Sequence, residues 1–274
     1  MSGAVGVGTV VSGGAERTGG PLKLGRDVGL LYWRHTLQAL RQPIWIMVGL
    51  STPLLYLALF APLLKHLPGV VAATRGNVLN GFLPGILALL AFASGTGPGF
   101  NTIFELRAGV IERLRVTPVS RFAILIGPIL ASMVMMFVFD GVLVAVGAAF
   151  GFEVHVLGLA VLAILLGLLM MIMAAFSIAT ALLTKEISSF AAVVNGLQLP
   201  VLLLAGVLLP LSIGPLWLRV LGHFNPLYYL VSASRVLAAG DFHSPHVWQA
   251  FAVLVPLCAI VLTWATNVMK RAVS

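Results

Sequence analysis

Asp140 is the one carboxylate that lies well inside a long apolar stretch of this 274-residue chain. An ionised carboxylate at the centre of a membrane-spanning helix costs about 2.5–3.5 kcal/mol, so Asp140 should face protein or water, or be protonated. Such a group can relay a proton or contact a cationic substrate. No Lys or Arg lies within the apolar stretches to pair with it. A helix that projects beyond the hydrocarbon would place it near the membrane surface, so a functional and a structural role both stay open.

Two amide side chains, Asn195 and Gln198, lie three residues apart in a later apolar stretch, just before Pro200. That spacing puts both on one face of a helix, where they either bond neighbouring helices, at about 0.6 kcal/mol per contact, or line a wet pathway. Tyr56 and Phe60 lie four residues apart in the first apolar stretch and offer either an adaptable surface or ordinary packing. These four residues are the candidates for lining a path through a membrane.

Signatures of catalysis and of nucleotide binding are absent from the sequence. No G-x-x-x-x-G-K-[ST] segment occurs, so the chain has no P-loop for ATP phosphates. The GTGPG run at 95–99 lacks the strand and the lysine of a nucleotide site and predicts a flexible or kinked helix end. The six histidines are scattered, and the single cysteine, Cys258, excludes an internal disulfide. We predict no catalytic residue, no metal site and no cofactor on this chain.

The composition excludes a water-soluble globular protein. Hydrophobic residues make up 60% of the chain and charged residues 9%, whereas soluble domains carry about 25% charged residues. Sixteen Lys and Arg against eight Asp and Glu give a net charge of +8. On a membrane chain this excess indicates basic flanks that face an anionic cytoplasmic leaflet, not a nucleic-acid partner.

Six stretches have the length and apolarity of membrane-spanning helices, which need about 20 residues. The predicted spans are 44–64, 80–100, 122–150, 156–183, 187–209 and 247–268. The alternate flanks of these spans hold twelve and four Lys and Arg residues, which places both termini in the cytoplasm. We therefore predict an all-α polytopic membrane protein with six transmembrane helices. A mobile cytoplasmic tail at 1–24 precedes one transmembrane domain at 25–274.

Two cytoplasmic segments are predicted to be helical without crossing the membrane. The first has an apolar stripe over 30–40 and arginines that can reach lipid headgroups, namely Arg26, Arg34 and Arg41. It is either an amphipathic interfacial helix with a functional contact or only an anchoring flank. The second runs over 101–116 and ends before Pro118. Its exposed face carries Glu105 and Glu112, which suit docking to a basic surface or simple solvation.

The connection at 210–246 is too apolar for an ordinary loop. Two short helical pieces, near 215–222 and 227–239, are separated by Asn225 and Pro226. Neither piece is long enough to span a membrane, but such pieces can enter it where protein shields them. We predict an extracellular re-entrant element here.

Several motifs now occur together and in order. Glu105, Gly109, Glu112 and 117–120 form the pattern E-x-x-x-G-x-x-E-x-x-x-x-T-P-V-S. Leu-Pro-Gly stands at 83–85, and the later segments are Leu-Pro-Leu-Ser at 209–212, Pro-Leu-Trp-Leu at 215–218, Asn-Pro-Leu at 225–227 and Arg235. In these motifs, and over nearly all of the chain beyond about residue 25, the sequence resembles the ABC-2-type permeases. These are the membrane subunits of ATP-binding-cassette exporters, and the chain is most similar to the daunorubicin-resistance drug-efflux permeases.

The cytoplasmic motif departs from the family pattern at three positions. Ala108 and Val110 stand where the family often has a charged residue and a threonine, and Arg115 replaces a commonly apolar residue. The docking surface is therefore expected to be kept, with a partner preference that these residues do not specify.

The resemblance implies that two six-span units pair, as identical or related chains, with the transport path at their interface. The first, second and fifth spans would line it, which here include Tyr56, Phe60, Asn195 and Gln198. Two separate ATPase subunits, which bind ATP and Mg, would dock on the two cytoplasmic helices. The docking residues would be Arg26, Arg34, Arg41, Glu105, Arg107, Gly109, Glu112, Arg113, Thr117 and Pro118. Asn225 and Pro226 would belong to an extracellular gate.

We therefore expect a multi-pass protein of the bacterial plasma membrane that exports amphipathic drugs, antibiotics or lipid-like compounds, with ATP hydrolysed by a separate subunit. Export of a glycan or lipid-linked polysaccharide by the same family is an alternative. A proton-coupled secondary transporter that uses Asp140 is another, and it predicts transport without an ATPase. An intramembrane enzyme is disfavoured because the sequence has no nucleophile–base pair or metal-binding pattern.

Overall fold

A computed structural model describes residues 29, 32, 33, 35–37, 41, 43–65, 77–109, 121–207 and 215–273. Within these ranges the regular structure is helical, without a strand. The helices described from end to end are α1 (Pro43–Lys65), α2 (Val78–Ser94), α3 (Gly97–Arg107), α4 (Arg121–Ala149), α5 (Val156–Thr184), α6 (Ile187–Leu204), α7 (Leu216–His223), α8 (Pro226–Ala238) and α9 (Pro245–Val273). The predicted all-α architecture is confirmed for this part of the chain.

Five stretches of the described residues are long and apolar enough to cross a membrane. They are Val78–Arg107, Ile124–Ala149, Val156–Thr184, Ile187–Leu204 and Pro245–Arg271, and each coincides with one predicted span. The first predicted span is the 23-residue helix α1, but its described apolar part, Met47–Phe60, is shorter than a span. The count of six therefore stays a prediction at α1.

The helix break predicted at the GTGPG run is confirmed. α2 ends at Ser94, Gly95 and Thr96 form a turn, and α3 begins at Gly97 with a proline in its first turn. A side chain at Gly95 would collide with Met173 of α5, so the glycine allows the turn to lie directly on that helix. The Ser177 hydroxyl of α5 donates to the Gly95 carbonyl at 2.8 Å, which satisfies a carbonyl that the break leaves without a helical partner.

The predicted cytoplasmic helix at 101–116 was wrong in its length. α3 ends at Arg107, and Gly109 adopts a positive φ of 66°. Helices often end in this left-handed conformation, which glycine adopts without a steric penalty. Pro118, which was expected to end the helix, lies outside the described residues.

α2 and α5 form the centre of the bundle. α2 is buried along nearly its whole length, and α5 packs against α9, α3 and α2. α6 lies at the periphery, because Phe190 and Val194 are its only buried residues. α1 is also largely exposed, although Leu57 is buried against the core.

The bundle has two ends, which we name after a residue at each. The Arg235 end holds α8, the starts of α2 and α5, and the end of α6. The Glu105 end holds α3, the end of α5 and the start of α6. Under the predicted orientation, the Arg235 end is extracellular and the Glu105 end is cytoplasmic.

The two short helices expected in the 210–246 connection are confirmed as α7 and α8. Asn225 caps α8 because its side-chain oxygen accepts from the Leu227 N–H at 3.0 Å, and Pro226 occupies the first turn. α8 packs against α9, α2 and α5. Its entry into a membrane stays a prediction.

Candidate transport path and coupling surface

Arg235 is a half-buried cation at the Arg235 end. Its Nε donates to the Gly81 carbonyl of α2 at 3.1 Å. Its Nη2 donates to the carbonyls of Gly206, at 2.6 Å, and Val207, at 3.3 Å, just beyond α6. Burial lowers the pKa of Arg235 to about 10, so the guanidinium stays charged at neutral pH. One side chain therefore joins three helices through backbone oxygens.

Asn225, which was predicted to belong to an extracellular gate, joins α8 to α6. Its Nδ2 donates to the Val201 carbonyl at 2.6 Å while its Oδ1 caps α8. Gly85 of α2 lies directly beneath the same segment, since a Cβ there would lie 2.5 Å from the Val207 oxygen. Pro226 occupies the first turn of α8, where its missing N–H costs no helical hydrogen bond. The end of α6 is thus held between α2 and α8.

A second polar group ties the start of α2 to the turn between α4 and α5. The Asn80 side chain donates to the Glu153 carboxylate at 3.1 Å and accepts from the Glu153 N–H at 3.1 Å. Asn77 caps α2 and donates to the Gly151 carbonyl at 3.1 Å. Because Gly151 has a positive φ of 102°, its backbone can make this tight turn.

Asp140 lies on α4, near residues that contact the two central helices, α2 and α5. Gly147, on the same face of α4, lies against Leu83 of α2, and Phe137 lies against Gly167 of α5. The side chain of Asp140 is 6% exposed, and both carboxylate oxygens are buried without a hydrogen-bond partner in the described part of the chain. Neither α2 nor α5 contains an ionisable side chain.

Tyr56 and Phe60, the predicted path residues of α1, pack against other side chains. The rings of Tyr56 and Phe60 are 5.7 Å apart, and Phe60 lies 6.1 Å from Phe82 of α2. Both side chains are half-buried against the core. The structure therefore brings these two residues together at the contact of α1 with α2.

The predicted path residues of α6 lie in its exposed middle. Asn195 is exposed and Gln198 is half-buried. Gly196, between them, has open space where a side chain would stand. An exposed amide at the middle of an apolar helix needs a hydrogen-bonding neighbour outside the described fold, because hydrocarbon offers none.

The Glu105 end brings several coupling candidates together. Glu105 lies 3.9 Å from His35, and both side chains are largely buried. Arg107 is exposed at the end of α3 and lies close enough to Glu186 to lower the pKa of that carboxyl. Gly109 forms the turn after α3.

The N-terminal coupling candidates are described in part. Residues 32, 33 and 35–37 are helical, and Arg41 is exposed with its N–H bonded to the Leu37 carbonyl at 3.1 Å. The remaining coupling candidates lie outside the described residues, namely Arg26, Arg34, Glu112, Arg113, Thr117 and Pro118.

The turn between α5 and α6 adds a charged group that the sequence analysis did not select. Lys185 adopts a left-handed φ of 56°, and Glu186 accepts from the hydroxyls of Ser188 and Ser189 at 2.7 and 2.8 Å. These two hydroxyls, and more weakly Arg107, lower the pKa of Glu186. The motif Glu-x-Ser-Ser at a helix start was the sequence signal for this turn.

The comparison with known families covers the part of the chain that contains most of these helices. Residues 26–238 match the ABC-2 type transporter family. The chain belongs to the ABC-2 type transporter family. The permease is similar to the transport permease ycf38 of Cyanophora paradoxa, at 33% identity over 77% of this chain and 74% of that protein. It is also similar to the ycf38 proteins of Pyropia yezoensis and Porphyra purpurea, at 28% and 26% identity with the same coverage.

The family assignment gives the permease a transport role without catalysis of its own. ABC-2 permeases generally pair with an ATP-binding-cassette subunit, which accounts for the missing P-loop. Among the described residues, no group of three or more His, Cys, Asp or Glu side chains could hold a metal ion. The daunorubicin-resistance subtype stays a prediction.

Arg235 is the residue whose role the sequence analysis missed. It was noted only as a motif residue and as one of four basic residues on the predicted extracellular side. The available signal was its position in an apolar segment, because a cation in such a setting needs oxygen ligands. Which carbonyls supply them depends on the tertiary fold.

Proposed function

We propose that the permease is the membrane subunit of an ATP-driven exporter. Two permease chains, identical or related, form the path for amphipathic drugs, antibiotics or lipid-like compounds in a bacterial plasma membrane, with both termini in the cytoplasm. Two separate ATPase subunits bind ATP and Mg and dock at the Glu105 end. Family membership supports the permease role, and the substrate class rests on the largely apolar surroundings of the predicted path.

The observation that carries the proposal is the exposed, polar middle of α6. Asn195 is exposed on this helix, and the neighbouring Leu197 and Leu199 are exposed as well. An amide facing lipid would be unsatisfied, whereas an amide facing a wet path or a second permease chain would find a partner. The mixture of one amide with apolar side chains suits an amphipathic substrate.

The Glu105 end supports the coupling part of the proposal. His35 connects the N-terminal helical segment to α3 through Glu105. A displacement of this surface would therefore move the N-terminal segment and α3 together. ATP-driven closure of the docked subunits would use this connection to open the path.

The test reconstitutes the permease with the ATPase that copurifies from its native host and measures ATP-dependent export of rhodamine 6G from vesicles. We expect export by the wild type and a several-fold loss in Asn195→Leu. The matched control is Leu199→Ala, an exposed position on the same helix, which should keep most of the activity. Export that proceeds without ATP or without a copurifying ATPase would contradict the proposal.

A second candidate function has a specific observation in its favour. The buried, unpartnered Asp140 carboxylate is the group that a proton-coupled transporter would use. This candidate predicts that an imposed pH gradient drives transport without ATP and that Asp140→Asn abolishes the gradient-driven flux. Retained ATP-dependent export by Asp140→Asn favours the exporter.

A further inference from the structure

The end of α6 has backbone carbonyls that need outside donors. The last carbonyls of a helix have no partner within it, and the chain turns out of the helix at Gly206, which has a positive φ of 68°. The N–H groups of Ala205 and Gly206 donate to the Val201 and Leu203 carbonyls, respectively. The oxygens of Gly206 and Val207 lie beyond these bonds. Ala205 and Val207 are buried, so the protein itself must supply these donors.

Arg235 supplies the missing donors. Its guanidinium reaches the Gly206 and Val207 oxygens and, through Nε, the Gly81 oxygen of α2. The planar guanidinium holds its donors in a fixed geometry, so all three contacts depend on one orientation of the side chain. The negative end of the α6 dipole also favours a cation at this position. Arg235 therefore fixes the end of α6 against the start of α2.

The start of α6 is held by aromatic packing, and the middle of α6 is exposed. Its first turn is anchored where Phe190 packs edge-on against Phe100 at 4.7 Å and lies against Gly99 of α3. Between the two anchored ends the helix is exposed, and it contains Gly196 and Pro200. A proline removes one helical hydrogen bond and a glycine adds backbone freedom, so this middle part is where α6 can bend.

We propose that Arg235 is a positioning residue that latches the end of α6 closed and is released during each transport cycle. The inference rests on the proposed function, because release matters only if α6 lines the path. Bending at Gly196 and Pro200 would carry residues 201–207 away from α2 and α8. The Gly206 and Val207 carbonyls would leave the guanidinium in that step, and the Asn225 bond to Val201 would break with them.

Hydrogen–deuterium exchange on the permease alone in lipid nanodiscs tests the latch without transport. In Arg235→Met, the amides of 201–207 should exchange about tenfold faster or more, the effect of losing one hydrogen bond to a charged group. The amides of α3 and of the first turn of α6 should be unchanged. Arg235→Lys, which keeps the charge but not the planar geometry, should be intermediate. Lys270→Met, which removes an exposed cation from α9, is the control and should match the wild type.

The second readout is the ratio of rhodamine 6G exported to ATP hydrolysed in vesicles that contain the ATPase partner. A latch predicts that Arg235→Met still hydrolyses ATP but exports several-fold less per ATP, with partial rescue in Arg235→Lys. A purely structural role predicts equal losses of both activities. Unchanged exchange at 201–207, or an equal increase throughout the bundle, would overturn the latch.

The outcomes separate this inference from the proposed function. If the wild type exports nothing with ATP while Arg235→Met still loosens 201–207 alone, the proposed function fails and the latch contact stands. If export depends on ATP but 201–207 is unaffected, the latch fails and the exporter stands. Should Arg235→Met not fold, Arg235→Lys and Asn225→Asp give the same comparison, and protection at 201–207 equal to the wild type in both would overturn the latch.

Discussion

Arg235, which is half-buried, and Asp140, which is buried, are both ionisable side chains in an apolar fold, yet their surroundings differ. The Arg235 guanidinium donates to three backbone carbonyls. The Asp140 carboxylate has no hydrogen-bond partner among the described residues. Arg235 lies where α6 ends and α2 begins, whereas Asp140 lies on α4, whose residues Gly147 and Phe137 contact α2 and α5.

The difference shows which parts of a helix can supply hydrogen-bond partners to a charged side chain in an apolar fold. In the middle of a helix every N–H is already bonded within the helix, so the backbone offers a buried carboxylate no donor. At a helix end the last carbonyls are free, and they are acceptors. A buried cation can therefore be satisfied by a helix C-terminus, while a carboxylate in mid-bundle depends on a donor side chain.

Arg235→Met should have the largest effect on stability. The variant keeps much of the side-chain volume and removes the donors, so the Gly206 and Val207 oxygens lose their charged partner. We expect a loss of about 2–4 kcal/mol in the free energy of unfolding, measured by SDS titration in mixed micelles. Lys270→Met provides the control for loss of one positive charge. A smaller loss of unfolding free energy than in the control would show that Arg235 does not stabilise the fold, and the contrast with Asp140 would fail.

Gly85→Ala should also weaken the Arg235 end. The added Cβ would lie 2.5 Å from the Val207 oxygen, so either that carbonyl or α2 must move, at a cost of about 1–3 kcal/mol. Gly141→Ala is the matched control, because Gly141 lies in α4 beside Asp140 with open space for a Cβ. That control should be neutral or stabilising by up to about 1 kcal/mol, since alanine favours helix. Equal effects of the two substitutions in thermal melts would show that the end of α6 moves away from the added methyl group at little cost in free energy.

Asn225→Ala should cost less, about 1–2 kcal/mol, because it removes the cap of α8 and the donor to the Val201 carbonyl. Asn225→Asp separates the two contributions. It keeps the capping oxygen and loses the donor, so we expect roughly half of the loss. Thermal melts of the three proteins in one detergent give the comparison. An Asp variant as unstable as the Ala variant would assign the whole effect to the bond with α6.

Asp140→Asn should have the smallest effect. Among the described residues the carboxylate has no hydrogen bond that the substitution could break, and the amide has nearly the same volume. We expect a change of less than about 1 kcal/mol in unfolding and retained ATP-dependent export. A loss as large as that of Arg235→Met would show that Asp140 gains a partner in the assembled transporter, and the contrast between the two sites would then fail.

The elements themselves were largely predictable from local sequence. Five of the predicted spans match apolar helices of spanning length, and the break before Gly97 follows from the GTGPG run. The division of the 210–246 connection at Asn225 and Pro226 was also correct. These features depend on apolar length and on glycine and proline, whose effects are local.

The helix at 101–116 shows where local reasoning failed. The apolar and acidic spacing continued past residue 109, so the pattern predicted an uninterrupted helix. Gly109 instead adopts the left-handed conformation and ends α3 at Arg107. A glycine within a helical pattern is compatible with either outcome.

The candidate site was predictable as residues but not as contacts. Tyr56 and Phe60 were expected on one face and do pack together, because four-residue spacing fixes that neighbourhood in any helix. The contact of Phe60 with Phe82 and the pairing of His35 with Glu105 join elements far apart in the sequence. Such contacts depend on how helices pack.

The sequence by itself determined that this chain is an apolar, helical membrane permease, where most of its helices begin and end, and that Asp140 is a carboxylate in an apolar stretch. Only the tertiary structure decided that Arg235 meets the carbonyls at the end of α6, while the Asp140 carboxylate meets no hydrogen-bond donor among the described residues. The reason is that apolarity and helix breaks act over a few neighbouring residues, whereas the partner of a buried polar group is set by which helix end the packing brings to it.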